Sequence, residues 1–252
     1  MPSSEKPPTP LKKTKSFVGP HTLAIDIGGT GLKASVLDAK GVMETDRVRV
    51  ETPYPCPPKV MVEALSKLIK TLPAFDRVSV GFPGVVREGL IITAPHFGNE
   101  IWSRFPLAET LLKKWGKPVR ILNDADMQGL AVIQGKGLEL VVTLGTGVGT
   151  ALFRNGQLMP HLELAQHPAH EDKTYNEYIG DAVFQQKGKK KWNRRVRRAL
   201  GQLLTLVNYD WMYIGGGNAT QLDFKLDKNM RVVSNQAGIL GGIALWKEGT
   251  LA

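Results

Sequence analysis

The sequence contains a single cysteine, Cys56, in 252 residues. No intramolecular disulfide and no cysteine zinc cluster can form from it, and it suits a reducing compartment. No apolar run approaches the roughly 20 residues of a membrane-spanning helix. Residues 1–20, MPSSEKPPTPLKKTKSFVGP, lack the apolar core of a secretion signal. Their Pro, Lys and Ser content predicts a disordered basic tail. There is no G-x-x-x-x-G-K-[ST], which excludes a P-loop enzyme, and no G-x-G-x-x-G opening a long helix, which excludes a Rossmann site. Acidic residues are also short. Lys and Arg number 33 against 23 Asp and Glu, a formal net charge of +10. At this level nucleic acid, a membrane surface and a polyanionic substrate all remain open as partners.

Hydrophobic residues make up 42% of the chain, enough for a core in one large or two modest domains. The stretch LAIDIGGTGLKASVLD, residues 23–38, reads as strand, glycine turn, strand, and VMETDRVRVET predicts a third antiparallel strand. KVMVEALSKLIKTL places Val60, Leu65, Leu68, Ile69 and Leu72 near helical spacing. RVSVGFPG is a short buried strand, and PLAETLLKKWG a helix stopped by Gly116. The strand KPVRIL runs into NDADMQGLAVIQG, where Asn123 caps a helix predicted to reach about Gln134. LELVVTLGTGVGTALFRNGQL then repeats the pattern of residues 23–38, more than a hundred residues later. That repetition predicts two related halves facing one cleft. Further on, YNEYIGDAVFQQKG reads as helical, and Trp192, Val196, Leu200, Leu203 and Val207 form one apolar helical stripe. DWMYIGGGNAT is a third strand-to-glycine turn, and NQAGILGGIALWKEG a short C-terminal helix packed through small residues.

Phosphate oxygens require several backbone N–H donors converging on one point, and glycine lets the backbone bend that way. Any one of the three glycine turns, taken alone, reads better as a hairpin. Their order carries more. Asp-Ile-Gly-Gly-Thr-Gly, Asn-Asp-Ala at a strand-to-helix junction, Leu-Gly-Thr-Gly and Gly-Gly-Gly-Asn together resemble the sugar kinases of the actin and hexokinase superfamily. More narrowly the chain resembles the ROK family (repressor, open reading frame, kinase) from about Leu23 to Trp246, and within it the polyphosphate glucokinases. The resemblance implies an α/β, ribonuclease H-like fold of two lobes with a central cleft. The lobes would be 21–122 and 123–252, with a C-terminal helix near 238–248 packing on the first.

The resemblance also implies roles. Asp26, Gly28, Gly29, Thr30, Gly31 and Lys33 match the first phosphate motif, where the Asp helps hold the Mg²⁺ that accompanies the donor. Gly145, Thr146 and Gly147 match the second, and Gly215, Gly216, Gly217 and Asn218 the segment near adenosine when the donor is a nucleotide. Asn123 and Asp124 match the sugar-binding Asn and the catalytic base. Pro83 and Gly84 enter the loop lining the sugar pocket. Asp124 also stands at the first turn of a predicted helix, which favours an ionised carboxylate able to accept a proton at neutral pH. Its other reading is a helix cap, a role Asn123 already fills.

The chain departs from the family where Glu-x-Gly-His is usual. ELAQH keeps Glu163, puts Gln166 at the His position and His167 one residue later; either can face a sugar hydroxyl. The zinc cysteines that follow in the family are absent, so no structural zinc is expected, and His161, His167 and His170 read better as surface histidines than as ligands. Glu177 is the match for a further sugar-contacting Glu, with an exposed helix charge as its other reading.

KGKKKWNRRVRRAL concentrates eight cations between Lys187 and Arg198. A solvated helix face accounts for them, and so does a polyphosphate groove, which would bind with strong salt dependence. The family's repressors carry a helix-turn-helix ahead of the kinase-like part, for which about twenty residues are too short. Neither nucleic acid nor a membrane is expected as a partner, and a homodimer is what the family suggests. The expectation is a cytoplasmic hexose kinase acting on the 6-hydroxyl of glucose, with polyphosphate or ATP as donor. The alternatives are an ATP-dependent kinase for another sugar and a non-catalytic sugar-binding protein.

Overall fold

Leu23, Ala24, Ile25 and Ile27 are fully buried, so the first strand lies inside a sheet rather than at its edge. The computed structural model describes residues 19–234 and 236–247. All but Gly19 and Pro20 of the predicted basic tail, with Lys12, Lys13 and Lys15, lies outside the described residues. Strands β1 (Thr22–Ile27), β2 (Gly31–Leu37) and β3 (Val48–Glu51) form an antiparallel meander. β4 (Arg77–Phe82) joins β1 in parallel. A small hairpin, β5 (Val86–Arg87) and β6 (Leu90–Ile91), precedes β7 (Val119–Asn123), which lies parallel to β4. The sheet order is β3-β2-β1-β4-β7. Helices α1 (Pro58–Leu68), α2 (Asn99–Trp102) and α3 (Leu107–Trp115) share one core with it, in which Met61, Leu65, Trp102 and Leu111 meet Leu23, Ile25 and Val80.

The second sheet repeats the plan. β8 (Leu138–Leu144), β9 (Val148–Arg154) and β10 (Gln157–Leu158) are its meander. After the short pair β11 (Pro168–His170) and β12 (Lys173–Thr174) come β13 (Trp211–Gly215), parallel to β8, and β14 (Met230–Val232), parallel to β13. The order β10-β9-β8-β13-β14 is the first sheet's order over again, an open α/β plan with no closed barrel among the described residues.

Helix α4 (Asp124–Leu130) stands between the sheets. Ala125 packs with Val141, Ala151 and Phe153 of the second sheet, and Met127 with Leu122 and Leu245. The helices α5 (Tyr175–Ile179) and α6 (Asp181–Val207) cover the second sheet. The apolar stripe of Trp192, Val196, Leu200 and Leu203 is buried against Leu140, Val142 and Met212. α7 (Ala237–Leu240) and a 3-10 turn over Gly241–Trp246 return to the first sheet, where Ile239 packs on Ala24 and Leu37. No helix among the described residues is long and apolar enough to cross a membrane.

Two helical predictions need correction. α4 ends at Leu130 rather than near Gln134. The backbone N–H groups of Gln134, Gly135 and Lys136 donate to the buried carboxylate of Glu139 instead, at 2.7, 2.8 and 3.1 Å. YNEYIGDAVFQQKG, read as one helical stretch, is divided at Gly180 between α5 and α6, and α6 is interrupted at Gly188 (φ 73, ψ 162), where that stretch gives way to the basic run. The third strand is also shorter than VMETDRVRVET implies, covering only Val48–Glu51.

The small residues of the C-terminal segment are required by contact. A methyl group on Gly241 would overlap the Met127 carbonyl of α4, and one on Gly242 would lie 2.8 Å from Ala24 Cβ. Gly241→Ala is therefore expected to cost about 2 kcal/mol by overpacking, read as a lowered midpoint in urea. Gly201, exposed within α6 with nothing near its missing Cβ, is the control. Gly201→Ala should stabilise by about 0.5–1 kcal/mol through helix propensity.

Candidate active site

The ends of β1, β7, β8 and β13 open on one cavity of about 450 Å³. Three glycine turns reach it. In the first, Gly28 N–H donates to Gly31 O at 3.0 Å and Thr52 Oγ1 donates to Gly28 O at 2.7 Å. In the second, Gly145 N–H donates to Gly147 O at 2.9 Å, and Val148 N–H to Asn176 Oδ1 at 2.6 Å. The two turns approach closely: a Cβ on Gly29 would lie 3.6 Å from Thr146 Cγ2. The third turn is tied to the second through the start of α6. Asn218 Nδ2 donates to Asp181 Oδ1 at 2.8 Å, and Asp181 N–H donates to Gly145 O at 3.1 Å. Gly216 (φ 84) passes so near the Leu144 backbone that no side chain fits.

Asp124 begins α4 at the floor of this cavity. Asn123 holds it there. Asn123 Oδ1 accepts from the N–H groups of Ala125 and Asp126 at 2.8 and 3.3 Å, and Nδ2 donates to Gly84 O at 3.1 Å. Of the Asn123 amide, one N–H is left to face a ligand. Gly84 itself has no room for a Cβ against the Thr93 carbonyl. The Asp124 carboxyl is pushed up to about 7, first by burial and next by the charge of Asp26. Asp126 and Glu163 add to this, against the Ala125 N–H. Burial and three neighbouring carboxylates thus work against the helix terminus, and with a value of about 7 the carboxyl is about half ionised at neutral pH.

A buried pair supports one wall. His161 Nδ1 lies 3.0 Å from Asp126, and Nε2 lies 3.5 Å from Glu163 Oε1, with side chains 9%, 3% and 30% exposed for His161, Asp126 and Glu163. Burial disfavours the charged ring, but the Asp126 and Glu163 carboxylates raise its pKa to about 10. The two carboxylates thus favour the charged form of the His161 ring, which lies beside Glu163 behind the cavity wall. Asp26 accepts from Lys33 Nζ at 2.8 Å on the opposite wall.

The cavity brings together Asp26, Gly28, Gly29, Thr30, Gly31, Lys33, Pro83, Gly84, Asn123, Asp124, Gly145, Thr146, Gly147, Glu163, Gln166, Gly216, Gly217 and Asn218. Three predicted residues do not line it. Gly215 lies behind, where its missing side chain admits the Gln128 amide. His167 is exposed, with Nδ1 against the Pro168 carbonyl at 2.8 Å. Glu177 is exposed and reaches back to cap its own helix: Thr174 N–H donates to Glu177 Oε2 at 2.9 Å, and Glu177 N–H to Thr174 Oγ1 at 3.3 Å. Those hydrogen bonds hold its carboxyl below the usual range. Of the Glu177 readings, the exposed helix charge describes this geometry.

Residues not singled out in the sequence also line the cavity, among them Arg49, His96, Gln128, Asn176 and Asp181. His96 lies between the first two turns, its ring near Gly29 and Gly147, and burial lowers its pKa. The three histidines of residues 161–170 diverge: His161 faces Asp126, His167 faces solvent, and His170 packs tilted against the Tyr178 ring with centroids 5.1 Å apart. Among the described residues no group of three or more His, Cys, Asp or Glu could hold a metal ion.

Comparison with known proteins agrees with this architecture. The ROK family model matches residues 22–165. Polyphosphate glucokinase of Mycobacterium tuberculosis is 30% identical over 232 residues, covering 87% of this chain and 84% of that protein. N-acetylmannosamine kinase of Escherichia coli is 37% identical over 145 residues, 55% of this chain and 49% of its own length. The crystal structure of the inorganic polyphosphate/ATP-glucomannokinase of Arthrobacter sp. strain KM superposes with a TM-score of 0.81 at 29% identity, covering 91% of this chain and all of the other.

Proposed function

The chain belongs to the ROK family and is a sugar kinase, and we propose that it phosphorylates the 6-hydroxyl of glucose with polyphosphate as preferred donor and ATP as second donor. The observation that carries this reading is the meeting of Asp124 and two glycine turns in one cavity. Phosphoryl transfer needs positioning, charge neutralisation and one carboxylate for the hydroxyl proton. Asp124 takes that proton. Asn123, Glu163 and Gln166 hold the sugar, with Pro83 and Gly84 at the pocket entry. Beyond Gly28 and Gly145, whose N–H groups close the turns themselves, the backbone of Gly29–Gly31 and Thr146–Gly147 cradles the donor phosphates, and Gly216–Asn218 lie beside a nucleotide base when ATP is used. Closure of residues 21–122 against 123–252 would exclude water from the transfer.

Mg²⁺ fits this donor set. The ion prefers one or two carboxylates together with phosphates and water, and the half-buried Asp26 faces the cavity with only Oδ2 engaged by Lys33. Asp26 would hold it, and the ion would neutralise charge on the donor oxygens.

Polyphosphate is favoured by the charge on α6. Lys187, Lys189, Lys190, Lys191, Arg194, Arg197 and Arg198 are exposed, and none has a carboxylate partner within 4 Å among the described residues. Arg195 alone is packed, over the Tyr178 ring at 4.9 Å. The single, buried thiol of Cys56 is in keeping with a reducing compartment, and we read the enzyme as cytoplasmic.

A second reading, an ATP-dependent amino-sugar kinase, draws on Gln166 in place of the family's His and on the N-acetylmannosamine kinase relative. A panel of hexoses crossed with ATP and polyphosphate separates the two. Glucose with polyphosphate should give the highest kcat/KM. Product from N-acetylmannosamine with ATP, and none from glucose with polyphosphate, would replace the first reading by the second.

A further inference from the structure

Three charged residues form a row across the first sheet. Asp26 on β1 is directly opposite Lys33 on β2, and Lys33 is directly opposite Arg49 on β3. Residues directly opposite in antiparallel strands share a face, so the row crosses one face at the strand spacing of about 4.8 Å. All three line the cavity. The row holds two cations and one carboxylate, and the carboxylate is engaged by Lys33 at 2.8 Å. Arg49 has no carboxylate within 4 Å among the described residues; its only polar contact is Nη2 to Thr30 O at 3.5 Å. Like charges directly opposite in a sheet destabilise it. An anion beside Lys33 and Arg49 removes that penalty.

The first glycine turn is shaped around this guanidinium. A Cβ on Gly31 would lie 2.8 Å from Arg49 Nε and 2.9 Å from Nη2. Gly31 is not among the residues with positive φ, so its backbone alone does not demand glycine. The absent side chain leaves the space beside the turn in which the Arg49 guanidinium lies. Arg presents a rigid fork of donors suited to phosphate, where Lys offers a point charge.

We propose that Arg49, with Lys33, forms a subsite for donor phosphates beyond the transferred one, and that this subsite favours a polyphosphate chain over a nucleotide. The inference rests on the reading of this cavity as a phosphoryl-transfer site. Its donor selectivity follows from position. Arg49 lies on the outer strand of the first sheet, whereas the third glycine turn, Gly216–Asn218, follows β13 in the second. A nucleotide must place its base at one end of the cavity. A longer chain of phosphates continues to the other.

Arg49→Gln and Arg49→Lys in the full chain test this. For Arg49→Gln the ratio of the polyphosphate KM to the ATP KM should rise about tenfold, with the sugar KM changing less than twofold. The salt slope of log kcat/KM for polyphosphate should lessen by about one contact's share, ~0.7–1. Arg49→Lys should fall between, keeping the charge and losing the fork. Calorimetric binding of tripolyphosphate without sugar, on proteins of equal Tm, reads the subsite independently of turnover, and Arg49→Gln should weaken it about tenfold. If the wild-type chain forms no sugar phosphate from any donor, the kinase reading fails, and the calorimetry still decides the subsite. Unchanged tripolyphosphate affinity, or an equal effect on both donors, would overturn the proposal.

Discussion

Asp124→Asn lowers kcat/KM for sugar phosphorylation by about 10³-fold, within the range a positioned general base supplies. Asparagine keeps the shape and the capping geometry but cannot accept the hydroxyl proton. The wild-type acid limb gives a second, independent readout. With the free-protein pKa raised to about 7, Asp124 is increasingly protonated below neutrality, so log kcat/KM should fall as pH drops through 7. A carboxyl at its ordinary value would leave the rate flat down to about pH 4. The same shift has a sign for stability. Between the unfolded value, 3.8, and about 7 the folded chain holds the extra proton. Stability contributed by this group therefore falls as pH rises through that window and stays low above it. Asp124→Asn removes the burden, so its Tm should exceed that of the wild type at pH 8 and converge with it near pH 4. A variant that is less active yet more stable distinguishes a functional carboxylate from a structural cap, whose loss would lower both.

His161→Ala should be the most destabilising single change at the cavity wall. It leaves the Asp126 carboxylate, 3% exposed, without its partner. Removing one member of a buried pair typically costs about 3–5 kcal/mol. For a chain of this size that lowers Tm by roughly 6–20 °C. The pH dependence checks the cause. His161 is raised from 6.5 to about 10. Its contribution is fully present below 6.5 and is lost as pH rises through 10, so the Tm gap between wild type and variant should narrow over that interval. Glu163 loses its support as well, so the sugar KM should rise several-fold, with the donor KM little changed. A Tm gap independent of pH would assign His161 a packing role only.

What could be read from the sequence follows from the range of the physics involved. The glycine turns were legible because a backbone that must bend around an anion needs glycine next to an apolar strand, and both features are local. The duplicated sheet was legible for the same reason: residues 23–38 and 138–158 carry the same local pattern. The ends of α4 and α6 depended on competition at short range. Glu139 takes the N–H groups that would have continued α4, and extended backbone at Gly180 separates α5 from α6 within a stretch whose composition reads as one helix. Glu177 carried a readable signal in Thr-x-x-Glu, a capping box, which competes with a sugar contact for the same carboxylate. Arg49, His96 and the His161–Asp126 pair had no local signature. Their roles arise from cross-strand register or from contacts 35 residues apart, as between His161 and Asp126.

The central claim is that the cavity delivers a phosphoryl group to the 6-hydroxyl of a hexose rather than to water. Phosphorus NMR of the chain incubated with glucose, polyphosphate and Mg²⁺ tests it most directly. A new phosphomonoester coupled to the protons on carbon 6, absent with Asp124→Asn, is the expected result. Release of inorganic phosphate without any sugar ester, or an ester formed equally by the Asp124→Asn protein, would contradict the account.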